Sequence, residues 1–551
     1  MRMYRSTAVA AASFLLLTGA AIVAAPAAHA GTPGGTQASD RNTDFNGDGR
    51  EDVLTGAPGG TVGGDRGAGY VTVQYGSSRG ITTGNRAVIH QGTAGVPGAA
   101  EPGDAFGRAL ASGDLDADGY DDAIVGIPGE DLGTAADAGG LVILWGSATG
   151  LSGASSQWLE SSAPRAGESF GAGLAAARFT AGTPGDLLAV LDRDDLELYT
   201  FEPAGQPGAR ERRTDGRTDG RADGRADADS RGDTGGRADA GGTAERAVRE
   251  RTGSLLTGRA ARDTGTRAKN GSGTAAADGP RVIRPQTLTT GDYDHNGFAD
   301  LVVSGLSTGE EPGHGWSVQF SGREDGLEYG RDLRGGPVAA SGDLNGDGYD
   351  DLVTGEPNSP DDGGATTTGG TVGVYYGSPD GPAGTEGPGT PPQWWTQDSP
   401  GVPGGAERGD GWGADLSLGD TDADGYTDLA IGAPGEDLGT VADAGAVWVL
   451  RGSKAGLTTT RVKDFNQDTA GVPGAPEKQD RFGGQVRLAD PDRNGTFGLL
   501  AAAPGENTGD GVLWFLPSGT AGVTATGSWT FDGGSLGAPA ADARFGAAID
   551  D

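Results

Sequence analysis

Asp420-Thr421-Asp422-Ala423-Asp424-Gly425-Tyr426-Thr427-Asp428 runs directly into Leu429-Ala430-Ile431-Gly432-Ala433-Pro434. Oxygen-bearing side chains stand at positions 1, 3, 5 and 9 of this nonapeptide, with a glycine at position 6. A calcium ion takes six to eight oxygen ligands at roughly 2.3–2.6 Å. A tight loop supplies them when alternate side chains turn inward and a glycine permits the sharp bend. Tyr426, at position 7, adds its backbone carbonyl to the candidate ligands. The last ligand falls at position 9 instead of 12, and an apolar strand-like run follows, so this is not an EF-hand.

The pattern recurs, and recurrence is the signal. Asp44, Asn46, Asp48, Arg50 and Asp52 occupy positions 1, 3, 5, 7 and 9 of the first copy. Asp114, Asp116, Asp118, Tyr120 and Asp122 form the second. Asp292, Asp294, Asn296, Phe298 and Asp300 form another, followed by Asp343, Asn345, Asp347, Tyr349 and Asp351. In each copy the position-7 residue enters only through its backbone carbonyl. Two copies have decayed. Arg178 to Asp186 keeps only a final Asp, and Asp490, Asp492 and Asn494 are followed by Gly498 at the ninth position. Single acidic Gly-rich turns are ordinary solvated loops. Five complete loops in fixed register, among seven repeats, predict about five Ca²⁺ ions.

The chain has 551 residues, 107 of them Gly, without the three-residue period of collagen. Its net charge of −36 makes nucleic acid and anionic membrane surfaces poor partners. Cysteine is absent, so metal ions are the available staple for an exported chain. Export is expected from residues 1–30. Arg2 and Arg5 precede an apolar Ala-rich stretch, and Ala28-His29-Ala30 is a small-x-small cleavage site. No later apolar stretch approaches membrane-spanning length. A secreted protein is expected, released or held by contacts to the envelope, with no transmembrane segment in the mature chain. The Ala-, Gly-, Asp- and Arg-heavy usage points to a bacterial source.

After a loose leader at 31–39, residues 40–551 read as one repeat domain. Each unit holds several strands of four to six residues between Gly, Pro and Asp turns, such as Tyr70-Val71-Thr72-Val73-Gln74-Tyr75. The step between loops leaves room for a four-stranded antiparallel sheet. Radial stacking of such sheets gives a β-propeller, and a linear solenoid is the competing architecture. The termini favour the ring. Phe545-Gly546-Ala547-Ala548-Ile549 matches Phe106-Gly107-Arg108-Ala109-Leu110, the strand before a metal loop, and the first loop has no such strand before it. The fold class is therefore all-β: a seven-bladed β-propeller of four-stranded antiparallel blades, closed by the C-terminal strand pairing into the first blade.

Residues 203–280 interrupt the pattern with a low-complexity Arg/Asp/Gly tract whose few apolar side chains cannot offset ordering entropy. They read as a disordered insert between the third and fourth units. Excising 210–270 is expected to leave a folded protein. Arg231-Gly232-Asp233 inside it is a triplet that such a tract produces by chance.

Phe106-Gly107, Trp412-Gly413 and Phe482-Gly483 each stand eight residues before a loop, and Gly-Ala-Pro or a close variant follows it. Phe-Gly, a calcium loop, then Gly-Ala-Pro resembles the FG-GAP repeat of the integrin α-chain head. The resemblance implies a seven-bladed propeller whose loops join the first two strands of a blade on one face, with ligands usually on the other. It also implies that the four side chains named in each complete loop are calcium ligands. The decayed loops and the insert depart from the family pattern, and no further integrin-like domain follows, so anchoring and heterodimer signalling are not implied.

Only His90, His295 and His314 remain after the first thirty residues, each in a turn or strand setting that reads as structural. A secreted hydrolase, esterase- or phospholipase-like, is the alternative reading, and the side-chain inventory weighs against it without closing it. The leading class is a monomeric adhesion or extracellular ligand-binding module for a protein or glycan, followed by a structural envelope protein. Trp394-Trp395 reads first as inter-blade core and second as a binding pair, and Trp145 and Trp448 read as core.

Overall fold

The computed structural model describes residues 43–193, 195–203, 248–252, 256, 282–309, 311–358, 368–383 and 392–550. The export segment, the leader, most of the insert and its Arg-Gly-Asp triplet lie outside them.

Seven four-stranded antiparallel sheets make up the described chain. The first blade holds β1 (Val53–Ala57), β2 (Tyr70–Gln74) and β3 (Arg86–Ile89). The second holds β4 (Leu110–Gly113), β5 (Asp122–Ile127), β6 (Gly140–Leu144) and β7 (Ser156–Leu159). The third holds β8 (Leu174–Ala177), β9 (Leu187–Asp192), β10 (Asp195–Phe201) and β11 (Val248–Thr252). The fourth holds β12 (Ile283–Gly291), β13 (Asp300–Ser307), β14 (Gly315–Arg323) and β15 (Gly326–Arg334). The fifth holds β16 (Val338–Gly342), β17 (Asp351–Glu356), β18 (Thr371–Tyr375) and β19 (Gln393–Trp395). The sixth holds β20 (Asp415–Gly419), β21 (Asp428–Ala433), β22 (Ala446–Arg451) and β23 (Thr458–Phe465). The seventh holds β24 (Gln485–Ala489), β25 (Gly498–Ala503), β26 (Val512–Leu516) and β27 (Trp529–Phe531). Last comes β28 (Ala548–Ile549), which returns to the first blade.

The two middle strands of a blade are buried on both faces, which is why β5, β6, β21, β22, β25 and β26 read as continuous apolar runs without alternation. What covers them is the next blade. Seven apolar clusters form the core, and each lies across one seam between consecutive blades. The ring closes at the seam between the seventh and first blades. There β28 pairs with β1 through Thr55↔Ile549 and Gly56↔Ala548. Such backbone bonds contribute about 0.5–1.5 kcal/mol each, against about 1.5–3 kcal/mol for each large apolar side chain fully buried. Leu500, Leu513, Phe531, Phe545 and Ile549 meet at this seam, so packing holds it more than pairing does.

The Phe-Gly and Gly-Ala-Pro signatures have a steric origin. Phe106, Phe170, Trp412, Phe482 and Phe545 are fully buried. Gly107, with φ 84°, lets its blade's backbone run against Gly56 of the first blade. A Cβ on Gly56 would lie 2.0 Å from the Gly107 carbonyl oxygen.

Two sequence expectations need correction. The interval 203–280 does not lie wholly outside the propeller: β11, at Val248–Thr252, pairs with β10 as the fourth strand of the third blade. An excision of 210–270 therefore removes a blade strand. Composition hid it, because an Arg- and Glu-bearing edge strand looks like the tract around it. Asp186 is also misplaced by one position. Ala177 pairs with Leu187 where Gly113 pairs with Asp122, so Leu187 holds the ninth place of the third loop and Asp186 the eighth.

Candidate metal centre

The acidic loops connect the inner strand of a blade to its second strand, and they are linked to one another around the ring. The N–H at position 8 donates to the position-1 carbonyl of the preceding blade: Asp121 to Asp44 (3.2 Å), Asp186 to Asp114 (2.9 Å), Ala299 to Arg178 (2.8 Å) and Asp350 to Asp292 (3.2 Å). Thr427 donates to Asp343 (3.1 Å) and Phe497 to Asp420 (2.9 Å). At the closing seam the Asp490 N–H donates instead to Glu51 Oε2 at 2.6 Å. All seven loops, complete or decayed, thus share one face.

Within each complete loop the first Asp organises the backbone. Asp44 accepts from the N–H groups of Asp48 (3.1 Å) and Gly49 (2.7 Å), and Asp114 from Asp118 (3.0 Å) and Gly119 (3.3 Å). Asp292 accepts from Asn296 and Gly297, Asp343 from Asp347 and Gly348, and Asp420 from Asp424 and Gly425. At position 5, Asp48, Asp118, Asn296, Asp347 and Asp424 accept from the N–H of Arg50, Tyr120, Phe298, Tyr349 and Tyr426. At position 3, Asn46 Oδ1 and Asn345 Oδ1 accept from the N–H of Asp48 and Asp347. The ninth Asp ties the loop to the sheet. Asp52, Asp122, Asp300, Asp351 and Asp428 each accept from a glycine N–H at the end of the third strand or just after it, at 2.8–3.0 Å. The decayed seventh loop keeps the same turn through Asp490, which accepts from Asn494 (2.9 Å) and Gly495 (2.8 Å).

Burial makes these carboxylates uncomfortable as free anions. It pushes Asp52, Asp300 and Asp351 up to about 8 and Asp114 to about 6, with backbone hydrogen bonds opposing and neighbouring loop Asp charges adding. Asp122 is raised well above the usual carboxylate range, and Asp44, Asp292, Asp343, Asp420 and Asp428 are raised, burial being the leading cause in each. Asp294 Oδ1 and Asp300 Oδ2 are buried with no hydrogen-bond partner, as is Asp422 Oδ1. Oxygen donors orphaned in this way suit a hard divalent cation. Carboxylate oxygens of Asp114, Asp116 and Asp118, and of Asp420, Asp422 and Asp428, come within 4.8 Å of one another and could each hold a metal ion.

The sixth loop carries a feature the sequence reading passed over. Arg451, whose side chain is 5 % exposed, pairs with Asp422 Oδ2 at 2.8 Å and with Asp428 Oδ2. Arg461 reaches Asp422 from the surface at 3.1 Å. In the fourth loop Arg323 pairs with Asp294 at 2.7 Å from a position 42 % exposed. A comparison of the residues standing before the turn glycine of each repeat carries the signal for Arg451.

Away from the loops, His314 sits 3.7 Å from Glu356 and bonds Arg334 at 2.9 Å, and His295 meets Tyr349 edge-on across a seam. Trp145 and Trp448 are buried. The Trp394-Trp395 pair divides: Trp395 packs into the core between the fifth and sixth blades, while Trp394 is 43 % exposed. A pocket of about 210 Å³ opens at the closing seam, lined by Arg79, Asp492, Asn494, Phe515 and Trp529. Trp529 leans on Phe515, ring centroids 4.7 Å apart. No local motif marks this pocket, because the first blade and the seventh loop meet only once the ring closes.

Among known proteins, the FG-GAP repeat family matches residues 38–73, 106–144, 335–375 and 412–450. No curated protein matches. Among solved structures, a Bacillus licheniformis rhamnogalacturonan lyase PL11 is 11 % identical, with 44 % of this chain and 54 % of that one covered and a TM-score of 0.25. The exotype rhamnogalacturonan lyase YesX is 12 % identical, with 47 % and 52 % covered and a TM-score of 0.26. The chain thus spans about half the length of these lyases. Blades 1, 2, 5 and 6 carry FG-GAP repeats, and the chain that bears them is a seven-bladed propeller.

Proposed function

We propose that this chain is a secreted, calcium-stabilised binding module, an adhesion-type propeller. The carrying observation is the array of acidic loops on one face, in which all-oxygen donor sets recur in register and buried carboxylate oxygens stand without partners. Calcium, when bound, neutralises the clustered carboxylates, and Asp44, Asn46, Asp48 and Asp52, with their counterparts in the other complete loops, would hold it. Among the described residues no helix is long and apolar enough to cross a membrane. For the ligand, the pocket at the closing seam offers aromatic faces beside Arg79 and Asp492, a combination that suits the apolar face and hydroxyl edge of a sugar ring.

The test is a screen of the purified protein against cell-wall glycans and matrix-type proteins, in calcium and in chelator, with Trp529→Ala as the site variant. The expected result is a ligand retained in calcium and lost in Trp529→Ala, with the unfolding transition of the variant intact. Glycan binding unchanged by both the variant and chelation rejects the reading.

A further inference from the structure

The ninth-position Asp of each complete loop accepts from the N–H of a glycine at the end of the third strand or just after it: Gly76, Gly146, Gly322, Gly377 and Gly452 in the first, second, fourth, fifth and sixth blades. The residue before that glycine is Tyr75, Trp145, Ser321, Tyr376 and Arg451 respectively, and all five are buried. Tyr75 and Tyr376 span the seam to the following blade, where their hydroxyls accept from the N–H of Leu151 (2.7 Å) and Leu457 (3.0 Å). Arg451 takes the same path, with Nη2 lying against Gly522 of the seventh blade. Its guanidinium also turns into the loop. Nη1 donates to Asp428 Oδ2 and, at 2.6 Å, to Thr421 Oγ1, and Nη2 pairs with Asp422 Oδ2.

We propose that the sixth-blade loop carries its own cation, with Arg451 holding Asp422 and Asp428 together where calcium serves the loops of the first, second, fourth and fifth blades. The inference rests on the calcium reading above and divides its sites. The approach of Asp422 and Asp428 oxygens to one another in this loop is then the work of the guanidinium. A calcium ion seated among the same oxygens would face a buried positive charge at contact range, with little water to screen it. Arg461 on Asp422 adds to that opposition. The guanidinium is always charged and cannot step aside by losing a proton. The sixth blade therefore stays closed in calcium-poor medium, and the chain binds one ion fewer than its complete loops would take.

The test is a metal count by elemental analysis after equilibrium dialysis against calcium, together with titration calorimetry. Arg451→Tyr, which installs the residue of the first and fifth blades, is expected to bind one more calcium ion per chain than the wild type. Arg451→Gln, smaller and uncharged, is the second variant should the tyrosine disturb the seam. Asp422→Asn in the otherwise wild-type chain is expected to leave the count unchanged, whereas Asp351→Asn lowers it by one. A wild type that binds calcium, loses one ion on Asp422→Asn and gains none in either Arg451 variant overturns the inference and leaves the calcium reading standing. A wild type and Arg451 variants that all bind none overturn both.

Discussion

At the residue scale, the chain places carboxyl groups where water cannot reach them and lets neighbours decide their charge. Gln467 of the sixth blade donates through Nε2 to Glu506 Oε2 of the seventh at 2.7 Å. The same clasp recurs as Gln91 to Glu130 and Gln397 to Glu436, each joining one blade to the next. Burial, then the charge of Asp480, pushes Glu506 up to about 7. Its folded value lies above the unfolded one, so its contribution is complete below about pH 4.5 and is lost as pH rises through about 7. A shift of that size corresponds to about 3 kcal/mol. Glu506→Gln keeps the shape of the protonated acid. The variant is expected to match the wild type in melting temperature at pH 5 and exceed it at pH 8. Parallel melting curves for the two proteins from pH 5 to 8 would reject this role for Glu506.

At the element scale, the seventh blade shows what replaces a lost ligand. Gly498 stands where the complete loops have their ninth Asp, and a Cβ there would lie 2.4 Å from Phe515 Cζ. Phe515 of β26 pairs with Leu500 of β25, a register at which the first, second, fifth and sixth blades carry Val73, Ile143, Val374 and Val449. The seventh blade thus sets glycine and phenylalanine together where these four blades set the carboxylate and a smaller apolar residue. Gly498→Asp alone is therefore expected to destabilise by about 1–3 kcal/mol through overpacking, and Phe515→Val beside it to recover most of that loss. Denaturant midpoints of the two variants measure this, and a single variant as stable as the wild type would refute the steric account.

What the sequence disclosed and what it hid divide along the same line. The loops and the closing strand were legible because Asp spacing and Phe545-Gly546 are local patterns repeated in one chain. Hidden were β11, whose composition matches the tract around it, Arg451, whose acidic partners are set beside it only when its own blade folds, and the Trp529 pocket, which forms only where the first and seventh blades meet. For β11 the consequence is direct. Deleting 210–240 spares Val248–Thr252, whereas deleting 210–270 leaves β10 with an unpaired edge. The shorter deletion is expected to keep the wild-type melting temperature and the longer one to lower it and promote aggregation, read by calorimetry and light scattering.

At the scale of the whole molecule, a chain of −36 net charge is fastened by loops whose own carboxylates repel one another. Closure relies on a buried group of charges at the last seam, where Arg487 pairs with Glu51 at 2.8 Å and Thr43 donates to Asp550. Elsewhere on that face protons and calcium compete for the same oxygens. Asp52, Asp300 and Asp351 have folded values of about 8, set first by burial, against an ordinary value of 3.8. In metal-free protein their stabilising contribution is complete below about pH 4 and disappears as pH rises through about 8. Calcium needs the deprotonated forms, so it takes hold as the protons leave. Each site filled at 100 times its dissociation constant adds about 2.7 kcal/mol. Extracellular sites of this kind bind at about 0.1–1 mM, so millimolar calcium is the relevant condition. The gap in melting temperature between calcium-loaded and chelated protein is therefore expected to widen from pH 5 to pH 8. Mg²⁺, which demands a tighter octahedral cage and gives up water reluctantly, should produce a smaller gap at equal concentration. Scanning calorimetry across that range decides the matter: a calcium increment the same at pH 5 as at pH 8, or matched by magnesium, is incompatible with metal binding by these carboxylates.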